Sequence, residues 1–407
     1  MNEYLKIAWR NIWRNKRRTM ITMTSVLFAI FLSLLMRSMQ LGEYDFMVES
    51  AVKNSTGYIQ IHEIGYWSDK SIDNTFKADK ELENRIRENP NVSKIVPRLE
   101  SFALASSGKQ TKGTMVIGTV PSIEDSISGL AKKIVAGKYL DTGTTGVLVS
   151  EGLANYLKLN INDTIVLMGQ GYHGESAAAA LPVRGIVRFI QPDLNNGMIY
   201  MELGQAQSFY SSAGRLTSIS VMLNNPDKMN RTSAQLSKID PVSLEVMTWK
   251  EMLTELVSYI EGDNVSGLFM LGILYMVVGF GIFGTILMMT LERRKEFGIM
   301  VAVGMRRYKL SFIVFIETMI IGISGVLCGM VASIPLIFYF HEHPIRLTGE
   351  TAAAILEYNM EPIIPFLLEP GYFLNQGLVV IIITLLTLIY PMSVINRFKV
   401  VSAIKGR

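Results

Sequence analysis

The sequence predicts a membrane α-helical protein of four transmembrane helices, with a large extracytoplasmic α+β domain inserted between helices 1 and 2. Three observations predict it. Four stretches are apolar over the roughly 20 residues that cross a hydrocarbon core of about 30 Å. Charge is scarce, at 18% of 407 residues, where a soluble domain carries about a quarter. Between the first two apolar stretches lie about 225 residues in which strand-like alternation and helical periodicity interleave.

The first span, 20–41, follows an amphipathic segment, 1–19, and holds one charge, Arg37, near its far end. Its apolar run is longer than the roughly 7–15 residues of a signal peptide and no A-x-A site follows, so it reads as an uncleaved anchor. Arg37 is then expected to snorkel to the far headgroups. The second span, 268–291, has no charge, and the third, 310–340, has Glu317 alone. The fourth, 378–395, is an almost unbroken run of Val, Ile, Leu and Thr.

Orientation follows from Lys and Arg in the short flanks. Lys6, Arg10, Arg14, Lys16, Arg17 and Arg18 precede the first span, against Glu3 alone. The loop 292–309 holds Arg293, Arg294, Lys295, Arg306, Arg307 and Lys309 against Glu292 and Glu296. The tail 396–407 has Arg397, Lys399, Lys405 and Arg407 with no acid. The loop 341–377 has Arg346 alone against Glu342, Glu350, Glu357, Glu361 and Glu369. Both termini and the loop 292–309 are therefore expected in the cytoplasm, and 42–267 and 341–377 outside it. The net charge of +4 is thus an average, since 42–267 carries 21 basic and 26 acidic residues.

Within 42–267, alternation predicts strands at 57–61, 114–118, 146–150, 163–168, 181–189, 198–201 and 218–223. Helical spacing predicts helices at 80–88, 151–157, 203–211 and 227–239. A helical stretch at 249–261 leads back to the second span, and the first helix extends through Glu49. These two are expected to form a stalk.

Several chemistries are excluded. There is no G-x-x-x-x-G-K-[ST] phosphate cradle, no H-E-x-x-H and no G-x-S-x-G. One cysteine, Cys328, rules out an intrachain disulfide and a cysteine-based zinc site. His341 and His343 lack a third ligand and read as an exposed loop. Sparse charge in the spans disfavours an ion or proton pathway, and a net charge of +4 gives no argument for nucleic acid. Gly272, Gly279, Gly281 and Gly284 in the second span, and Gly322, Gly325 and Gly329 in the third, permit close helix approach. Intramolecular packing and an interface with a second subunit both fit them. The segment 291–307 is short, amphipathic and charged at both ends. Its apolar residues Phe297, Met300, Val301 and Val303 suit either a membrane surface or a groove on another protein.

In this loop Glu292, Arg293, Glu296, Gly298, Ala302 and Gly304 fall in the spacing E-R-x-x-E-[IF]-G-x-x-x-A-x-G, with Phe297 at the [IF] position. The segment resembles the signature of the FtsX-like, MacB-type permeases of ABC transporters. The opening from Ala8 to Thr19 and the ending Tyr390-Pro391 with Ala403-Ile404-Lys405 are similar to that family's ends. Lys399 and Val400 stand where the family has Asp and Pro. The run from Val147 to Thr164 resembles the family's V-[VL]-[IV]-[GS]-x-x-L-A unit, with Asn162 in place of Gly.

The resemblance implies a permease without catalysis of its own, seated in the bacterial inner membrane, that works as a dimer with a second permease, identical or homologous. It implies a separate ATPase subunit that uses ATP and Mg, so no cofactor is expected on this chain. Glu292, Arg293, Glu296, Phe297, Gly298, Ala302 and Gly304 would form the coupling segment docked on that ATPase, and the stalks would pass its motion outward. In layout the chain is most similar to the lipoprotein-releasing type, which implies a lipoprotein substrate and a periplasmic carrier. Export of a drug, peptide or toxin, and a non-transporting sensor or scaffold, are the alternatives. The exporters often carry an ATPase fused to the N-terminus, whereas 19 residues precede the first span here. Phe46, Tyr259, Phe269 and Tyr275 are candidate acyl-chain contacts, or ordinary interfacial anchors.

Overall fold

The computed structural model describes residues 2–397, apart from 15, 78 and 358–360. The expected tail contacts at Lys399, Val400, Ala403, Ile404 and Lys405 lie outside the described residues. The chain divides into two units. One comprises Met1–Asp45, Tyr259–Arg346 and Ile363–Arg407, and the other Phe46–Ser258 and Leu347–Pro362.

The first unit is helical: α1 (Asn2–Arg14), α2 (Lys16–Ala51), α3 (Thr254–Glu292), α4 (Arg294–Ala302), α5 (Arg307–Glu342), α6 (Pro370–Thr387) and α7 (Ile389–Arg397). Among the described residues, four helical stretches are long and apolar enough to cross a membrane: α2, α3, α5, and α6 together with α7. In hydrocarbon a helix satisfies its own backbone, which is why long apolar runs adopt it. Pro391 has no N–H for the carbonyl of Thr387, the last residue of α6, and the fourth span breaks there. The core of the unit gathers Val26, Ile30, Leu34, Ile282, Ile286, Leu310 and Val314.

The glycines divide by helix. On α5, a Cβ at Gly325 would lie 2.7 Å from the Val26 Cβ, and one at Gly329 would lie 2.8 Å from the Leu27 carbonyl. Gly322 approaches Thr384 Cγ2 at 3.0 Å in the same sense. These glycines let α5 close on α2 and α6 within the chain. On α3, Gly267 closes on the Gln40 side chain of α2 and Gly279 comes near Ile383, whereas among the described residues nothing stands within 4 Å of a Cβ at Gly272, Gly281 or Gly284. That helix is also the least covered, with 17% of its apolar window buried against 33–39% for the other spans.

The second unit is built on a mixed ten-stranded sheet. Its strands are β1 (Ile59–Glu63), β2 (Val92–Ser107), β3 (Gln110–Thr119), β4 (Ile134–Gly137), β5 (Val147–Ser150), β6 (Thr164–Gln170), β7 (Ser176–Val187), β8 (Met198–Glu202), β9 (Ser218–Leu223) and β10 (Leu244–Thr248). They run in the order β10-β1-β9-β2-β3-β8-β5-β7-β4, and β6 pairs with both β2 and β7. That strand closes β2, β3, β8, β5 and β7 into a ring, a barrel-like closure beyond the α+β alternation read from the sequence. Pairing is antiparallel except between β3 and β8 and between β5 and β7. Short helices at Lys80–Arg87, Pro121–Ser128, Glu151–Leu157, Leu203–Phe209 and Met229–Leu236 connect the strands. The segment Leu347–Pro362 clusters with this unit, so the expected loop 341–377 is divided between the two units.

Side chains alternate across the sheet. One face carries two apolar clusters, around Ile59, Ile61, Ile95 and Val221 and around Leu99, Val116, Val149 and Ile199. The other face carries Ile117, Leu148, Val187 and Tyr200 together with a buried polar strip. In that strip Arg98, 1% exposed, donates from Nε to Glu124 Oε2 at 3.0 Å and from Nη2 to Oε1 at 2.7 Å. The Thr119 hydroxyl donates to the same carboxylate at 3.1 Å. Burial pushes the nearby Glu100 carboxyl above its usual range, against the pull of the Arg98 and Lys70 charges.

Candidate functional site

The segment that joins α3 to α5 is shaped by its own residues. Glu292 ends α3, Arg293 takes a non-helical turn conformation, and α4 then runs Arg294–Ala302. Gly304, at φ +106, reverses the chain at a cost that other residues would bear. Arg306 is extended and starts α5.

A ladder of charges fixes this segment to its neighbours in the helical unit. Arg293 lies almost buried and donates from Nη1 to both carboxylate oxygens of Glu317, at 2.8 and 3.0 Å. Glu317 is 3% exposed, in the body of α5. The Arg293 guanidinium stands 5.2 Å from the ring centre of Phe297, and its Nε lies 3.5 Å from Glu296. Glu296 accepts in turn from Arg14 of α1 at 2.5 Å, and Glu292 pairs with Arg18 of α2. Arg307 donates to the carbonyl of Asn396 at the end of α7. Four membrane helices thus converge on one short turn. Beside the Arg293–Glu317 pair, Thr22, Val26, Thr290 and Thr384 help enclose a cavity of about 20 Å³, the space of one water.

The side chains of α4 sort by direction. Phe297, 2% exposed, and Gly298 turn inward, and Met300 and Val301 join the apolar core from its edge. Ile299, 49% exposed, Ala302 and Val303, 85% exposed, share the outer face with Glu292, Lys295 and Glu296. Of Phe297, Met300, Val301 and Val303, which the sequence reading offered to a membrane surface or to a groove on another protein, the first three pack inward. The structure spends them on holding α4 in place, because a helix with Gly298 and three apolar residues on one side seats that side first. Ile299 was overlooked, although its i, i+4 spacing to Val303 is a helical face. The partner of Glu317 was also missed. A lone acid in an apolar span was the available signal, since such a group calls for an internal cation.

At the other end of the spans a second polar set ties α2 to α3. Arg37 donates to Asn264 Oδ1 and to Gln40 Oε1, both at 2.8 Å. Gln40 and Tyr44 donate to Asp263 Oδ2 at 3.0 and 2.7 Å. Arg37 therefore binds a neighbouring helix where a free snorkelling cation was expected. Of the candidate acyl-chain contacts, Tyr259 and Phe269 are exposed on α3, and Tyr275 donates its hydroxyl to Gln376. Phe46 is half-buried and counts with the sheet unit. His341 stands in the last turn of α5, not in a loop, with Nδ1 2.7 Å from the Phe366 carbonyl.

Comparison with known proteins places both units. Residues 19–239 match the family model described as MacB-like periplasmic core domain, and 268–400 match that described as FtsX-like permease C-terminal. The lipoprotein-releasing system transmembrane protein LolE of Haemophilus influenzae is 22% identical over 262 residues, 62% of this chain and 62% of that protein. LolC of Xylella fastidiosa is 22% identical over 256 residues, 61% of each. The chain thus spans about three fifths of the length of these curated relatives. Among solved structures, the periplasmic region of MacB from Actinobacillus actinomycetemcomitans is similar at 13% identity and a TM-score of 0.35, over 49% of this chain and 92% of that one.

Proposed function

The chain belongs to the MacB-like periplasmic core domain family, with an FtsX-like permease region behind that domain, and from this premise we propose that it is the permease subunit of an ABC transporter in a bacterial inner membrane. A separate ATPase docks on the outer face of α4, where Ile299, Ala302 and Val303 offer an apolar patch edged by Glu292, Lys295 and Glu296. The observation that carries this reading is the Arg293–Glu317 pair with its extensions to Arg14 and Arg18. A docking helix transmits force only if it is fixed to the spans, and this one is fixed by buried charge. A second permease, identical or homologous, covers the open face of α3. The cargo is a lipoprotein lifted from the membrane, as the names of the relatives LolE and LolC suggest.

Two measurements test this reading. Tagged chain is solubilised from membranes and its companions identified. Native protein should bring down an ATPase, and Val303→Asp and Ile299→Asp should lose it while reaching the membrane in normal amount. Retention of the ATPase by both variants refutes the docking face. Depletion should leave lipoproteins in the inner-membrane fraction. Unchanged fractionation with raised drug sensitivity would replace lipoprotein release with export.

A further inference from the structure

Helix α1 does more than precede the first span. It buries Ala8 and Ile12 completely or nearly so, and sets Tyr4 edge-on against Phe312 of α5. Its other apolar residues stay out: Leu5, Ile7, Trp9 and Trp13 are 36–54% exposed. Between α1, α2 and α5 runs a groove of about 200 Å³ with an almost wholly apolar wall that includes Trp13, Met20, Met23, Ile320 and Ile321. Past Trp9 it widens into a cleft of about 630 Å³ where Lys6 and Arg10 stand beside Leu5 and Ile320.

The basic residues here fall into two classes. Arg14 and Arg18 are paired with Glu296 and Glu292. Lys6, Arg10 and Lys16 line the groove and cleft, and among the described residues no carboxylate pairs with them. Lys16 instead lies over the Trp13 ring, 5.6 Å from its centre. The groove floor at Met23 and Ile320 belongs to the apolar windows of two spans, whereas Lys16 lies before the apolar run begins. An occupant must therefore be soluble in hydrocarbon at one end and negatively charged at the other.

We propose that this groove holds one anionic phospholipid, its acyl chain along Met23 and Ile320 and its negatively charged headgroup in the combined field of Lys6, Arg10 and Lys16. A zwitterionic lipid brings its own cation to three unpaired cations and is disfavoured. A docked protein helix would have to enter the apolar layer to reach the floor. Exposed tryptophans on an interfacial helix complete the binding edge, since indole rings favour the headgroup level. The site differs from the α4 face and does not need an ATPase, so its test stands apart from the transporter reading.

The full chain is placed in nanodiscs of phosphatidylcholine, and tryptophan emission is titrated with brominated phosphatidylglycerol or brominated phosphatidylcholine. A Trp9→Phe/Trp13→Phe variant supplies the background from Trp67 and Trp249. Half-maximal quenching is expected at a mole fraction about fivefold lower for the anionic lipid, on the scale of one basic residue's attraction. Lys6→Gln/Arg10→Gln/Lys16→Gln should make the two lipids equal. Ser324→Phe fills the groove, keeps every cation, and should also remove the preference. Equal quenching by both lipids in the native chain overturns the site. A preference that survives Ser324→Phe shows a diffuse basic surface and overturns it too. A direct count on the unsubstituted chain guards against variants that misfold: after mild delipidation, intact-complex mass spectrometry should find one phosphatidylglycerol per chain, and none retained overturns the proposal.

Discussion

Arg293 and Glu317 lie 2.8 Å apart at a place where neither tolerates being alone. A buried ion pair gains little over an apolar substitute, but removal of one partner strands a charge at about 3–5 kcal/mol. Glu317→Gln should therefore free α4 rather than unfold the spans. Hydrogen exchange should quicken at least about tenfold over 294–302, equivalent to about 1.4 kcal/mol, and change little in α2. The double exchange Arg293→Glu/Glu317→Arg should recover part of the protection, which a loss of mere packing would not. Unchanged exchange in Glu317→Gln would refute the clamp. In the sheet unit, His62 of β1 is wholly buried, its ring 6.4 Å from that of Trp67. Burial pushes its imidazole below the ordinary 6.5, against the pull of the Glu63 carbonyl and of Glu245. As pH falls through about 6.5 the unfolded chain takes up a proton that the folded chain refuses, so stability is complete above that pH and is lost below it. The loss cannot exceed about 1.4 kcal/mol per pH unit for one proton. Thermal unfolding followed by Trp67 fluorescence should show a midpoint that drops from pH 7.5 to 5.5 and a smaller drop in His62→Gln. Equal drops would remove His62 from the account.

Between helices, the same residue type has two uses. Gly325 and Gly329 admit Val26, Leu27 and Ile30 of α2, so a larger side chain there pushes two spans apart. Gly272 and Gly281 of α3 meet nothing among the described residues. Gly329→Leu should then lower the melting point of the solubilised protein, by the roughly 1–3 kcal/mol of an overpacked core. Gly272→Leu should leave that melting point alone and weaken association of two permeases, read by cross-linking in membranes. A stable Gly329→Leu chain would refute the helix crossing. Sequence reading left both uses open for all these glycines, because a spacing of small residues does not say which neighbour occupies it. The spans themselves were legible, since the bilayer demands long apolar runs and little else resembles them. Short strands rich in Val, Ile and Leu, such as β5 and β9, were legible as well. The 16-residue β2 was not. Pro97 interrupts it, and the face that carries Arg98 and Glu100 also carries Val96, Phe102 and Leu104, so no single apolar–polar alternation runs its length. The charge of Arg98 is met by Glu124, 26 positions on in a separate helix, and no local pattern carries that information. The turn 292–304 was legible as residue types but not as directions. Its pattern marked Glu292, Arg293 and Glu296, yet only the fold decides that Phe297 points in and Ile299 out.

At the scale of the whole chain, two independent lines lead to one topology. Charge counting puts 1–19, 292–309 and 396–407 on one side of the membrane and the two remaining segments on the other. Contacts within the helical unit make the same grouping without reference to charge: Arg14 of α1 meets Glu296 of α4, and Arg307 meets Asn396 of α7. On the other side, an even number of crossings brings Leu347–Pro362 to the same compartment as Phe46–Ser258, and these two segments form one compact unit. A chain with a missing or extra crossing would break at least one of these groupings. The sign of the charge count adds an expected orientation, with the basic flanks in the cytoplasm, because Lys and Arg are retained inside during insertion. The test uses the lone cysteine to advantage. In a Cys328→Ser background, Val242→Cys, at a residue 83% exposed in the sheet unit, should react with a membrane-impermeant maleimide on intact spheroplasts. Arg17→Cys, on the exposed side of the basic flank, should react only after permeabilisation. The reverse labelling would invert the topology and move the α4 face away from any cytoplasmic ATPase. Labelling of both from outside would instead remove a span, and with it the shared compartment of the two segments that make up the sheet unit.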